Sequence, residues 1–199
     1  MDRMELALVS ASGDVLDVIR LTLGQAVECC GWVEGETATA PNGKGNRWML
    51  VVREDAPVDP DSEVATEETV TVEEDRVVKA RGKRALTKDE LKVEAARLRW
   101  ETEEGGMIFN EIELRTDTAS QGKYTAAALA ATLDEDYTVR WKCGDGCFVT
   151  LDAPTIIAMA QTVRGHVQAC FDAEAGVVAG IEDGSITSLA QIRAAYEAT

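Results

Sequence analysis

Residues 137–151 read YTVRWKCGDGCFVTL, and this stretch decides the fold of the second half of the chain. Two runs of strand-forming residues flank a short Gly-Asp-Gly turn, a pattern that is typical of a β-hairpin. Asp152 follows as a candidate helix N-cap, and Pro154 falls in the first helical turn, where its missing N–H costs nothing. The stretch 117–171 is therefore predicted to form a helix, a tight hairpin and a second, long helix.

Capping boxes predict the starts of three helices, at Thr87, Thr118 and Ser188, because each residue is followed three positions later by Glu or Gln. The predicted helices run to about residues 103, 133 and 197, and the helix after the hairpin covers 153–179. A further small hairpin is predicted over residues 107–115, with its turn at Asn110–Glu111.

Residues 4–52 are predicted to be all-β, with strands at 4–9, 15–21 and 48–52. Cys29 and Cys30 would then face opposite sides of a strand. Trp32 and Trp48 are the natural aromatic anchors of this small core, because the chain has few other aromatic residues to build it from.

Residues 54–86 change character. They begin with two prolines among carboxylates, which favours an extended linker. An acidic segment, 66–74, is then followed at once by a basic one, 76–84. Such neighbours can pair as antiparallel strands, with Glu opposite Lys or Arg. A solvated run of charges without a function is the stronger interpretation, because exposed ion pairs contribute little.

These patterns predict an α+β protein in three parts: a small β domain over 1–53, a charged linker with room for a hairpin over 54–86, and a domain of helices and hairpins over 87–199. The core of the last part is predicted to contain six apolar residues: Trp141, Phe148, Ile156, Val163, Val167 and Phe171.

The chain carries a net charge of −16 and has a sequence pI near 4.4. Binding to DNA, RNA or an anionic membrane needs a basic surface, so we do not expect this chain to bind any of these partners. No apolar run has the length of a membrane span, and the N-terminus lacks the basic and apolar regions of a signal peptide. We therefore expect a protein made in a cytosol and not inserted into a membrane.

No phosphate loop, dinucleotide fingerprint or nucleophile elbow is present in the sequence. His166 and Cys170 have the i, i+4 spacing of metal ligands on a helix, but no third ligand accompanies them, so a structural histidine is the stronger interpretation. We expect no catalytic, cofactor-binding or metal-binding residues, and we expect a structural or binding protein instead of an enzyme.

Cys143 and Cys147 are separated by a three-residue loop, which places them opposite each other in the hairpin and permits a disulfide. Free thiols are the alternative. A redox pair is disfavoured, because redox cysteines usually lie at a helix N-terminus that lowers the thiol pKa.

Four separated blocks resemble a family of phage proteins that carry a C-terminal tail-fibre-associated domain of unknown function. Their order and spacing are similar to that family's over roughly residues 85–195. The blocks are Arg115-Thr116-Asp117 with Ser120, Gln121 and Lys123; residues 138–142; Gly146 with residues 148–152; and residues 166–171.

The resemblance implies a structural protein of the virion tail (tail tip, baseplate or tail fibre) that assembles with other tail proteins and with copies of itself. Its alternatives are a tail-fibre assembly chaperone that leaves the particle and a module that binds the host surface. Many relatives carry small polar residues where this chain has Cys143 and Cys147, so a disulfide there would be a local addition suited to a particle outside the cell.

Overall fold

A computed structural model describes residues 3–33, 38–39 and 44–197 and shows an α+β protein, as predicted. The chain divides into two compact units, Met1–Ala85 and Leu86–Thr199. This boundary differs from the predicted one at residue 53, because most of the predicted linker belongs to the first unit.

The first unit is built on a sheet that has six strands in the described part of the chain. The strands are β1 Arg3–Val9, β2 Val15–Thr22, β3 Ala38–Thr39, β4 Arg47–Arg53, β5 Glu63–Val72 and β6 Arg76–Ala85. Neighbouring strands follow the order β2-β1-β4-β6-β5, with β3 beside β4. The β4–β6 pair is parallel and the other pairs are antiparallel.

The segment predicted as a linker forms β5 and β6. The acidic and basic runs pair antiparallel as the charges suggested, with Glu68 opposite Arg81 and with Lys83 2.9 Å from the Glu63 carboxylate. The acidic stretch that follows β4 is also hydrogen-bonded to the sheet, since the backbone amides of Glu54 and Ala56 donate to carbonyls of β6. Cross-strand charge compensation lets this charge-rich sequence form part of a sheet.

The prediction that residues 4–52 are all-β is wrong at one element, helix α1, Leu23–Cys30. Thr22 and Gln25 form a capping box at its start, and Gly31 ends it in the left-handed conformation, φ 63°. Cys29 and Cys30 are therefore helical neighbours, the first exposed and the second buried.

Trp32 is buried beside α1 at 2% exposure, in a cluster with Leu6 and Ala26, and Trp48 packs partly buried against that cluster. A second buried cluster contains Ala7, which follows Leu6 on β1. Because successive strand residues face opposite sides, these two residues place apolar side chains on both faces of the sheet.

Glu5 joins β1 to two other strands through its carboxylate. It accepts from Arg20 Nε at 2.6 Å and from Lys79 Nζ at 3.3 Å, and the hydrogen bond from Arg20 is the main reason that the pKa of Glu5 lies below its usual value of 4.5.

Glu5→Gln is therefore expected to lower the stability of the first unit at neutral pH by about 1 kcal/mol, since the main partner, Arg20, has a side chain that is 71% exposed and the pair is screened by water. A lowered folded-state pKa adds stability above pH 4.5 that is lost as the pH falls through that pKa. The free energies of unfolding of the wild type and the variant, measured by urea titration, should thus differ at pH 7 and converge at acid pH. A difference that does not change with pH would contradict this role of the Glu5 carboxylate.

The second unit is organised around one long helix. Its elements are α2 Lys88–Glu104, β7 Met107–Phe109, β8 Ile112–Leu114, α3 Thr118–Leu133, β9 Thr138–Lys142, β10 Phe148–Asp152, α4 Ala153–Asp183 and α5 Leu189–Tyr196. The N-terminal half of the long helix, α4, packs in a core with α3 and the two hairpins, and its C-terminal half packs in a core with α2 and α5.

The predicted caps at Thr87, Asp152 and Ser188 are confirmed. The predicted cap of helix α3 at Thr118 is wrong by one residue. Asp117 is the N-cap, since its side chain accepts from the amide of Ser120 at 3.0 Å, and Thr118 is the first helical residue. Helix α4 runs past the predicted end at residue 179 and stops at Gly184, φ 83°.

Two aromatic residues predicted for the core lie at the surface of this chain: Phe148 is 61% exposed and Phe171 is 46% exposed. In the hairpin, Trp141 pairs with Val149 and both pack against the core, so their neighbour Phe148 falls on the opposite face. Phe171 follows the fully buried Cys170 at the edge of the α4 core stripe, where the Arg99 guanidinium lies over its ring at 4.6 Å. As interface anchors, both residues remain a prediction.

Among the described residues, no helix combines the length and the apolar character that crossing a membrane would require.

Candidate functional site

A cleft of about 680 Å³ opens between the start of α3 and the β9–β10 hairpin. It lies wholly within the second unit. The α3 side is supplied by the segment before the helix and its first two turns, and the other side by β9 and the turn that follows it. The lining residues are Arg115, Asp117, Ala119, Ser120, Lys123, Tyr124 and residues 139–146.

Two stacked aromatic rings form part of the wall. Tyr124 is 3% exposed, and its ring lies 4.9 Å from that of Trp141, with 23° between the planes. The Tyr124 hydroxyl donates to the carbonyl of Arg115 at 2.8 Å, and burial raises the pKa of the phenol above its usual value. A buried ring with a satisfied hydroxyl is a rigid wall for a ligand or a partner chain.

Four basic residues line the same cleft: Arg115, Lys123, Arg140 and Lys142. All four are exposed. In the described ranges, Lys123, Arg140 and Lys142 have no carboxylate at ion-pair distance, whereas Arg115 lies close enough to Asp117 to help lower the pKa of that acid, after the larger effect of the Ser120 hydrogen bonds. In a chain with a net charge of −16, this is a local surface of opposite sign.

The turn between β9 and β10 forms the rim of the cleft. The amide of Cys143 donates to the carbonyl of Cys147 at 2.9 Å, and the Gly144 amide donates to the Glu113 carbonyl at 2.8 Å. A Cβ at Gly144 would come within 2.9 Å of the exposed Glu113 side chain, which would then have to shift, and Gly146 favours glycine through its φ of 93°.

Cys143 and Cys147, which sequence considerations allowed as a disulfide or as free thiols, are free thiols in the structure, the first buried and the second exposed. Asp145 lies between them and accepts from the Cys147 amide at 2.9 Å. The pKa of the Cys147 thiol is raised to about 12, mainly by its hydrogen bond to the Asp145 carboxylate and next by its hydrogen bond with Cys143. Cys147 is therefore a protonated thiol near neutral pH and a poor nucleophile.

His166 and Cys170 are adjacent on α4 as the spacing predicted, with Nε2 to Sγ at 3.9 Å. The same Nε2 is 3.2 Å from the carbonyl of Thr102, which can only accept, so the histidine donates to a carbonyl in the last turn of α2. The same carbonyl also accepts from the Gly105 amide at 3.3 Å, so the histidine is a second donor to the C-terminal end of α2.

Three of the four sequence blocks that carry the resemblance meet at the cleft. Arg115, Asp117, Ser120 and Lys123 come from the first block, residues 139–142 from the second, and Gly146 from the third. The fourth contributes Val167, Gln168 and Phe171 to a smaller groove of about 250 Å³ between α3 and α4, to which Tyr124 also belongs. The sequence singled out these residues without indicating that they form one site, and it indicated Tyr124 only as a helix contact and Asp145 only as a turn residue.

Comparison with known proteins finds one match by family: residues 87–199 match the model described as a domain of unknown function, DUF4376. No curated protein and no solved structure matches the chain. The matched residues are more than half of the chain, and they include every residue of the cleft and of both cores of the second unit. The chain therefore belongs to the DUF4376 family.

Proposed function

We propose that this protein is a structural component of a bacteriophage tail that acts by protein–protein assembly, and that its cleft receives an acidic segment of a neighbouring protein. The observation that carries the assembly role is the concentration of Arg115, Lys123, Arg140 and Lys142 in one cleft, which the Tyr124–Trp141 stack also lines, in a strongly acidic chain. The assignment to a phage tail is supported by the resemblance of the four sequence blocks.

The chemistry of the cleft suits a peptide more than a small anion. Aromatic and arginine side chains are enriched at the energetic centres of protein interfaces, where rings supply apolar contact and guanidinium groups pair with carboxylates. A cleft of 680 Å³ can accept several side chains. The neighbour is a second copy of this chain or another tail protein, since either can supply carboxylates.

Exposed apolar residues on the second unit also favour assembly. Ile108, Leu129, Leu133 and Phe148 are each more than 60% exposed. Leu129 and Leu133 lie one turn apart on α3 and so share a face of that helix. Burying such side chains against a partner removes apolar surface from water, which stabilises association.

The role in the particle is tested by mass spectrometry of purified virions from a strain that produces the protein. A structural component should be present in a constant ratio to the other tail proteins. Complete, infectious particles that lack the chain would contradict the proposal, and they are what an assembly chaperone would produce. If particles that lack the chain assemble normally but no longer adsorb to host cells, the protein would instead be a host-surface module.

The cleft is tested with Arg140→Glu. Binding of a fluorescent glutamate-rich peptide at low salt is expected to weaken about 10-fold or more, because a like charge replaces the cation that attracts the peptide. High salt should weaken wild-type binding as well. Sedimentation of the same proteins shows whether the chain supplies its own acidic partner, since self-association would then fall in parallel.

Arg164→Glu is the matched control. Arg164 is an exposed arginine on α4 that lines the smaller α3–α4 groove and not the cleft, and the substitution changes the net charge by the same amount. An equal loss in both variants would mean that only overall charge matters and would contradict a role of the cleft.

A further inference from the structure

The turn between β9 and β10 gathers three metal-ligating groups. The sulfur atoms of Cys143 and Cys147 and a carboxylate oxygen of Asp145 all lie within 4.8 Å of one another. In the part of the chain that the structure describes, this is the one such group of three or more histidine, cysteine or acidic side chains. The pairing of His166 with Cys170, which the sequence suggested first, has no third ligand at this spacing among the residues that the structure describes.

The three donors are close to the spacing that a tetrahedral metal ion requires. A Zn–S distance of about 2.3 Å and a tetrahedral angle place two sulfur ligands about 3.8 Å apart. Donors within 4.8 Å reach this spacing by rotating side chains, without moving the backbone far. Cys147 and Asp145 are exposed, so an ion can reach them from solvent.

The backbone of the turn is held in place before any ion arrives. Cys143 and Cys147 are joined by a backbone hydrogen bond, and Gly144 is tied to β8 through the Glu113 carbonyl. Two glycines at positions 144 and 146 permit the tight path that lets residues i, i+2 and i+4 turn their donor atoms to one point. A disulfide would need only the two sulfurs, whereas a metal ion would also use the carboxylate between them.

We propose that Cys143, Asp145 and Cys147 bind one zinc-like divalent ion, with two sulfur ligands, one oxygen ligand and a fourth position open to water or to a donor from a partner. On binding, each cysteine S–H gives its proton to solvent, so two protons are released per ion and the sulfurs coordinate as thiolates. The ion links the two strands of the hairpin at the rim of the cleft. This inference does not depend on the proposed function.

The test uses the full chain kept reduced with a phosphine. Cd²⁺ is titrated in, and thiolate ligation is followed by the ultraviolet sulfur-to-metal charge-transfer band; Zn²⁺ is then added as competitor. We expect one Cd²⁺ per chain, displaced by Zn²⁺. Cys147→Ser and Asp145→Asn should each weaken binding about 10-fold or more, because each removes one ligand from an exposed position.

Cys29→Ser is the matched control, since Cys29 is also an exposed thiol and lies in the other unit. It should leave the titration unchanged. Circular dichroism of each variant shows that the fold is retained. Absence of the band in the wild type, equal binding by Cys147→Ser, or loss of binding in Cys29→Ser would each overturn the proposal. Formation of a Cys143–Cys147 disulfide in a chain that binds no ion when reduced would also overturn it.

Discussion

Replacing Ile156 with alanine is expected to lower the free energy of unfolding of the second unit by about 2–5 kcal/mol. Ile156 is fully buried on the first turns of α4, in a cluster with Leu151, Met159 and Val163. The substitution leaves a cavity that α3 and the hairpins cannot fill without moving as whole elements, so the lost contacts are not recovered.

The measurement is urea denaturation followed by the helical circular dichroism signal. This signal reports mainly on the second unit, because the helix of the first unit within the described residues, α1, has only eight residues. Ile108→Ala is the control, since the same atoms are removed from a side chain that is 73% exposed. It should change stability by about 0.5 kcal/mol or less. Similar losses in the two variants would contradict the assignment of Ile156 to the core.

The elements of the second unit were predictable because their signals are local. The Gly-Asp-Gly turn, the Thr87–Glu90 box and the Asn110–Glu111 turn each lie within a few residues and act through short-range hydrogen bonds or backbone angles. Asn110 and Glu111 both have positive φ, as a two-residue hairpin turn requires. Local chemistry of this kind is fully present in the sequence.

The sheet of the first unit was less predictable because its pairings are distant. β6 lies beside β4 in parallel, and 22 residues separate Arg53 from Arg76. No turn residue marks such a crossover, so the intervening prolines and carboxylates suggested a linker. Helix α1 was not predicted for another reason. Its eight residues are too few to show the hydrophobic periodicity of a helix, although the sequence does contain the Thr22–Gln25 capping box.

The cleft could be predicted only in its parts. Arg140, Trp141 and Lys142 are consecutive in sequence, but they line a cleft only because the fold brings Lys123 and Tyr124 of α3 close to them. Phe148 shows why the sequence alone does not decide which hairpin residues are buried. Its apolar character favoured the core, and the register that pairs it with Lys142 places it at the surface. In a hairpin, the pairing register decides which face a residue occupies.

The largest effect at the cleft is expected from Tyr124→Ala, which should lower the free energy of unfolding of the second unit by about 3–5 kcal/mol. The side chain is 3% exposed, stacks on Trp141, and lines both the cleft and the α3–α4 groove. Removing it would leave Trp141 without its stacking partner and open the two cavities to each other.

Tyr124→Phe separates the two contributions of this residue. Phenylalanine keeps the ring and its stacking on Trp141 but leaves the Arg115 carbonyl without its 2.8 Å hydrogen bond, so a loss of about 0.5–1.5 kcal/mol is expected. Urea denaturation of both variants measures the difference. Because the basic side chains stay in place, peptide binding should survive in Tyr124→Phe. If Tyr124→Phe were as destabilising as Tyr124→Ala, the hydroxyl would be the main contribution and the stacked rings would not be the rigid wall described above.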